Sequence, residues 1–171
     1  MVKDSFSSVA VFYTVFVALL LASCTTQPER RELQLGDTAP DFAIKDLSGN
    51  VQVLSSKKGK PVIVRFFETD CRFCKADTPV FTKFYNEHKD NGLEVIYIGS
   101  FYENEKALRA FVNELNPDFP VAMDVQGRLA DLYGIIAYPM TLFISPDQKI
   151  LAAILGGVGE AELNEIFTKY L

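Results

Sequence analysis

Residues 61–75, PVIVRFFETDCRFCK, decide how this chain folds. Residues 61–67 are mostly β-branched or aromatic, which predicts a strand too apolar for a sheet edge. A loop over 68–70 leads into a helical segment from residue 71 to about 89, stopped by Asn91-Gly92. Cys71 and Cys74 therefore fall where a helix begins, just beyond a buried strand. Residues at i and i+3 share a helix face, at a separation a disulfide can bridge. The first turn of a helix also offers free N–H groups and a partial positive charge. Both favour a thiolate, the species that attacks a disulfide. Cys71 is the expected nucleophile, and Cys74, one turn in, the thiol that resolves the mixed disulfide. A purely structural bridge this short would close a tiny loop and add little stability.

Outward from this stretch, strand and helix patterns alternate. Upstream, residues 42–44 and 51–54 flank Gly49-Asn50 and predict a short hairpin, followed by a basic loop over 55–60. Downstream, 93–99 (LEVIYIG) reads as a second buried strand. Residues 104–115 form an amphipathic helix with Ala107, Leu108, Phe111, Val112 and Leu115 at helical spacing. A short strand over 119–122, a short helix over 127–133, and two strands over 140–145 and 149–155 follow. A turn at Pro146-Asp147-Gln148 joins those strands, and a last helix covers 160–170. Early alternation implies a parallel βαβ unit, and the late hairpin makes the sheet mixed. The expected fold is a three-layer α/β/α sandwich. Val80, Phe81, Phe84 and Tyr85 form a core-packing stripe. His88, the single histidine, suits the end of its helix and receives no catalytic role.

The 171 residues are 49% hydrophobic and 23% charged, enough to build a packed core. A formal charge of −5 speaks against nucleic acid, which requires a clustered basic surface. Three cysteines are too few for a disulfide framework or a four-thiolate zinc site. No metal or other cofactor is expected.

The N-terminus reads as an address. Residues 9–22, VAVFYTVFVALLLA, are almost wholly apolar, but a span of the hydrocarbon core needs about 20 residues. The length suits the apolar region of a signal peptide. Leu21-Ala22-Ser23-Cys24 resembles the lipobox of bacterial lipoproteins, with cleavage before Cys24 and acylation of its sulfur. Each buried methylene adds roughly 0.8 kcal/mol, so several acyl chains anchor a protein firmly. The expected organisation is a signal peptide over 1–23, lipidated Cys24 and a polar tether over 24–34, and one domain over 35–171. That places the protein outside the cytoplasm, on a membrane.

Asp70-Cys71-Arg72-Phe73-Cys74-Lys75, after Val62-Ile63-Val64-Arg65-Phe66-Phe67, resembles the active-site segment of TlpA/ResA-like thioredoxins. So do Leu35-Gly36-Asp37-Thr38-Ala39-Pro40-Asp41-Phe42 upstream, and Phe119-Pro120-Val121, Leu132-Tyr133-Gly134-Ile135 and Tyr138-Pro139-Met140-Thr141-Leu142-Phe143-Ile144 downstream. The resemblance runs from about Leu35 to the end. It implies a thioredoxin-like fold with an N-terminal hairpin and a central insertion. It also implies thiol–disulfide exchange with protein partners, often as a reductant in cytochrome c maturation, with a membrane thiol transporter as electron donor. Pro139 matches the family's cis-proline, beside which the backbone of Tyr138 holds a substrate chain; Arg72 and Phe73 are further candidate substrate contacts. Asp77 stands where the family often carries a glutamate that assists proton transfer at the second cysteine.

The chain also departs from the family. Asp70 replaces the usual tryptophan before the first cysteine, and no tryptophan occurs anywhere. A carboxylate there disfavours the Cys71 thiolate and makes the couple more reducing, while Arg72 acts in the opposite sense. Arg65 stands where the family has asparagine. It calls either for a carboxylate partner such as Glu68 or Asp77, or for a solvated gap. Two rival functions compete with exchange. A peroxiredoxin shares the LGDTAPDF opening, but Phe67-Glu68-Thr69-Asp70-Cys71 lacks the proline such enzymes place before their cysteine. A copper-binding module of the same fold uses C-x-x-x-C and a distal histidine; here the spacing is one residue shorter and no histidine follows residue 88.

Overall fold

The computed structural model describes residues 33–167 and 169–171. Its elements are β1 (Ala43–Lys45), β2 (Val51–Val53), β3 (Val62–Phe67), α1 (Arg72–His88), β4 (Glu94–Gly99), α2 (Glu105–Leu115), β5 (Val121–Met123), α3 (Arg128–Tyr133), β6 (Met140–Ile144), β7 (Ile150–Leu155) and α4 (Glu160–Phe167). Strands β3 to β7 form one mixed sheet in the order β5-β4-β3-β6-β7. β3, β4 and β5 run parallel, while β6 and β7 are antiparallel to their neighbours. The apolar strand read from the sequence, β3, lies at the centre and is buried along its whole length. This is the thioredoxin-like sandwich expected above.

Alternation along the strands separates two cores. Ile63, Phe67, Val95 and Tyr97 face the layer containing α1, α2 and α4, where they meet Phe81, Phe84, Phe111, Leu163 and Phe167. Val62, Val64, Phe66, Ile96 and Ile98 face the other way, toward Phe42, Leu54, Leu129 and Tyr133. The β1–β2 hairpin is a sheet of its own. It is tied to β5 by the Asp46–Ala122 bridge and by Leu47 N–H donating to the Val121 carbonyl at 2.8 Å, which shields the sheet edge.

Two elements differ from their sequence reading by more than one residue at an end. β5 starts at Val121 rather than residue 119. Pro120 has no N–H to give to a ladder, and its carbonyl instead accepts from Tyr97 N–H at 2.9 Å. α4 covers Glu160–Phe167 and does not reach residue 170, which lies in a turn where the Tyr170 N–H donates to the Phe167 carbonyl at 2.7 Å. The segment over 1–32, with its proposed leader and Cys24, lies outside the described residues. No described helix is long and apolar enough to cross a membrane.

Candidate active site

Cys71 is the N-cap of α1, in an extended conformation (φ −68°, ψ 119°). Its Sγ accepts the Cys74 N–H at 3.3 Å, so the sulfur occupies the place a capping oxygen takes in other helices. The next turn closes as Lys75 N–H donates to the Cys71 carbonyl at 3.1 Å. Both cysteines are free thiols, but their surroundings differ. Cys71 is half-buried, whereas Cys74 is 0% exposed. Burial, followed by the hydrogen bond with Cys71, pushes the Cys74 thiol up to about 12, against smaller opposing effects of the Glu68 backbone and the Arg65 charge.

The other candidates fall into two groups around this pair. β6 pairs Met140 with Phe66 of β3, and continuing that register carries Pro139 to the level of Phe67, at the strand end from which Cys71 emerges. Pro139 is buried, and the Tyr138–Pro139 peptide is cis, as the resemblance implies. Tyr138 is half-buried; burial first, then Asp124, Glu68, Tyr102 and Asp131, raise its hydroxyl to about 12. Phe73 is 51% exposed, with the Arg72 guanidinium 5.1 Å from its ring centre. Its other side lies against Gly157, where a Cβ would come 3.4 Å from Phe73 Cδ1.

Asp77 lies on the buried side of α1. Its Oδ2 accepts from Arg65 Nη2 at 2.6 Å and from Val158 N–H at 3.0 Å. Burial raises its carboxyl above the ordinary range, opposed by the Arg65 charge and the Val158 N–H. Arg65 is fully buried and paired with Asp77, so of the two sequence readings the carboxylate partner holds and the solvated gap does not. Tyr97 and Thr141 complete this pocket and went unnoticed in the sequence. The alternation of β3, which turns Arg65 to the same face as Ile63 and Phe67, was the signal that could have found them. Thr69 is committed elsewhere: its N–H donates to Glu103 Oε1 at 2.6 Å, and its hydroxyl also bonds that carboxylate. His88 ends α1 with its ring against Phe84, away from the cysteines in sequence and partner. Among the described residues, no group of three or more His, Cys, Asp or Glu side chains gathers as a metal site would.

The AhpC/TSA family model matches residues 35–153. A thiol-disulfide oxidoreductase ResA from Bacillus thuringiensis subsp. konkukian is 31% identical over 141 residues, covering 82% of this chain and 81% of the relative. The chain belongs to the AhpC/TSA family, among the ResA-like thiol–disulfide oxidoreductases. A ResA from Oceanobacillus iheyensis is 32% identical over 168 residues, covering 94% of this chain and 86% of that protein. The thioredoxin domain of a thiol-disulfide oxidoreductase from Bacteroides vulgatus superposes with a TM-score of 0.73 at 26% identity, covering 82% of this chain and all of that domain. As a ResA-like enzyme, the protein exchanges disulfides on a thioredoxin fold. That chemistry needs one accessible sulfur, a second sulfur within reach and somewhere for a proton to go. Cys71 at the cap of α1, and Cys74 and Asp77 within it, follow one another at intervals of about one helical turn.

Proposed function

We propose that this ResA-like enzyme is a lipid-anchored, extracytoplasmic reductant of protein disulfides, working through Cys71 and Cys74. The observation that carries the reading is the asymmetry of the pair. Cys71, half-exposed at the cap of α1, attacks a partner disulfide and forms a mixed disulfide. Cys74, buried and held as a thiol, gives its proton to Asp77 and attacks Cys71, releasing the partner reduced and leaving the enzyme oxidised. Burial that penalises the Cys74 thiolate denies the dithiol form that stabilisation, which supports a reducing couple. The Tyr138 backbone beside Pro139 holds the substrate chain, and Arg72 and Phe73 meet it from the helix. Commitment of the Thr69 hydroxyl to Glu103 speaks against its polarising a peroxide. Outside the cytoplasm the oxidised pair needs a source of electrons, and a membrane thiol transporter is the donor the family resemblance implies. The same resemblance makes the cysteines of apocytochrome c a fitting substrate class.

The anchor is supported by the signal-peptide pattern and by Cys24 in its lipobox. Cys24→Ala is expected to abolish lipid labelling and leave the precursor uncleaved; normal labelling would refute the anchor. Cys74→Ser is expected to accumulate mixed disulfides with partner proteins while Cys71→Ser accumulates none, and equal trapping would reverse or void the assigned roles. In redox buffers the pair is expected to be half-reduced nearer thioredoxin's roughly −270 mV than DsbA's roughly −120 mV. A pair that stays reduced in buffers poised near about −150 mV is an oxidant, and the direction proposed here then fails.

A further inference from the structure

β3 carries an arginine in the middle of an otherwise apolar strand. Its neighbours in register are Tyr97 on β4 and Thr141 on β6, so the three side chains stand abreast on the α1 side of the sheet. Arg65 Nη1 donates to Thr141 Oγ1 and Nη2 to Asp77 Oδ2, with the guanidinium 4.9 Å from the Phe81 ring centre. With Oδ2 occupied by Arg65 and Val158, Asp77 Oδ1 is buried and takes no hydrogen bond, and Arg65 Nε is likewise buried and unpartnered. Stability does not explain such a cluster. Desolvating two charges costs about what their attraction returns, and packed apolar side chains often serve at least as well.

We propose that Arg65 is a positioning residue of the exchange reaction: it fixes Asp77 as a carboxylate whose unengaged Oδ1, out of direct hydrogen-bond reach of Cys74, takes the Cys74 proton through one water, and it keeps the buried site neutral before and after that transfer. The proposal rests on the Cys71/Cys74 reading above. Before transfer the site holds the Arg65 cation, the Asp77 anion and the Cys74 thiol. Afterwards it holds the same cation, neutral Asp77 and the Cys74 thiolate. The thiolate's electron pair then forms the Cys71–Cys74 bond, and the bond from Cys71 to the partner sulfur breaks. The partner leaves as a thiolate with that pair, and the Asp77 proton is returned to it or to solvent. Without the cation, ionising either Asp77 or Cys74 would place a lone negative charge in an apolar pocket. The groups that face this site are Cys71, Cys74 and Asp77 from α1, the Glu68 backbone after β3, Tyr97 from β4, the Thr141 hydroxyl from β6 and the Val158 N–H before α4.

An aromatic disulfide, dithiobis-nitrobenzoate, separates the two steps, because one coloured thiol leaves when Cys71 attacks and a second when Cys74 resolves. In the full-length protein, Arg65→Met is expected to slow the second release at neutral pH by about tenfold or more, while changing the first by less than about threefold. Arg65→Lys, which keeps the charge, should recover part of the loss. Should Arg65→Met fail to fold, two further variants decide. Asp77→Asn leaves the cation unbalanced beside Cys74, and Arg65→Met/Asp77→Asn removes both charges. Alkylation of Cys74 followed against pH should start about one unit or more lower in the first than in the second. Equal alkylation profiles in those two variants, an unchanged second release in Arg65→Met, or equal slowing of both releases would overturn the proposal. If the wild type releases no second thiol, or Cys74→Ser retains it, the Cys71/Cys74 reading itself falls and takes this proposal with it.

Discussion

Selective alkylation tests the asymmetry of the two thiols most directly. Iodoacetamide reacts with thiolates, so its rate at a given sulfur scales with the ionised fraction and with access. An ordinary thiol near about 8.5 is roughly a quarter ionised at pH 8. Cys74, pushed up to about 12 by burial and by its hydrogen bond with Cys71, is ionised in about one molecule in 10⁴ at that pH. The thiolate deficit alone therefore slows Cys74 about 10³-fold against an ordinary thiol, before its complete burial is counted. The sequence makes the measurement simple. Trypsin cleaves after Arg72, between the two cysteines, so each reports through its own peptide in mass spectrometry. Pulse labelling of the reduced native protein at pH 8 should mark the Cys71 peptide and leave the Cys74 peptide unmarked; after unfolding in guanidinium both should label alike. Native labelling of Cys74 within about tenfold of an ordinary thiol would mean that its sulfur is neither buried nor held as a thiol, and the division of roles would fail.

Two further predictions concern the scaffold. Glu94 accepts from Lys57 and Lys60, each at 2.7 Å; burial pushes its carboxyl up, but the two lysines more than offset this and hold it below the ordinary value. Glu94→Gln should cost about 1 kcal/mol at neutral pH in chemical unfolding. Because the folded value is the lower one, the contribution is complete above the unfolded value of about 4.3 and is lost as pH falls through the folded one, so wild type and variant should converge in acid; a gap that persists would disprove the clamp. Gly99 ends β4 where a Cβ would come within 2.4 Å of Leu108 Cδ2, in a fully buried contact. Gly99→Ala should destabilise by about 1–3 kcal/mol through overpacking, and an unchanged unfolding midpoint would show that α2 yields freely.

The parts of this protein that were legible in its sequence are those fixed by local pattern. The central place of β3 followed from an apolar run broken only by Arg65, and the C-x-x-C at a helix start from the strand, loop and stop signals around it. The start of β5 was set by a single backbone group, the missing N–H of Pro120, which periodicity does not resolve. α1 also runs through Pro79 without ending there, so the proline did not act as the helix stop its type favours. Arg65 shows where the reading ran out. Its charge argued for a partner, but the choice among Glu68, Asp77 and solvent depended on which face of β3 it took and on what α1 laid over that face. Asp77 is 12 residues away and Thr141 is 76, so the pocket exists only once the sheet has formed.

Placing the two sulfurs in different environments requires a rigid strand end, because a single helical turn separates them. Phe67, the last residue of β3, is fully buried, with its ring 5.3 Å from that of Tyr97 and 4.7 Å from that of Phe111. Its carbonyl accepts from Ser100 N–H at 2.9 Å, which joins the exits of β3 and β4. Beyond it, Glu103 grips Thr69 through both backbone and hydroxyl, and the Glu68 carbonyl accepts from Cys71 N–H at 3.3 Å. The loop that lifts Cys71 toward solvent is thus held at Thr69 by Glu103 and closed on itself by the Cys71–Glu68 bond. Cys74 is drawn the other way, since the face of α1 that carries it also carries Asp77 and Phe81, which the sheet buries. One helix start therefore leaves one sulfur half-exposed and turns a second to a charge-paired interior. The sheet, rather than the four residues of the motif, sets the difference between them.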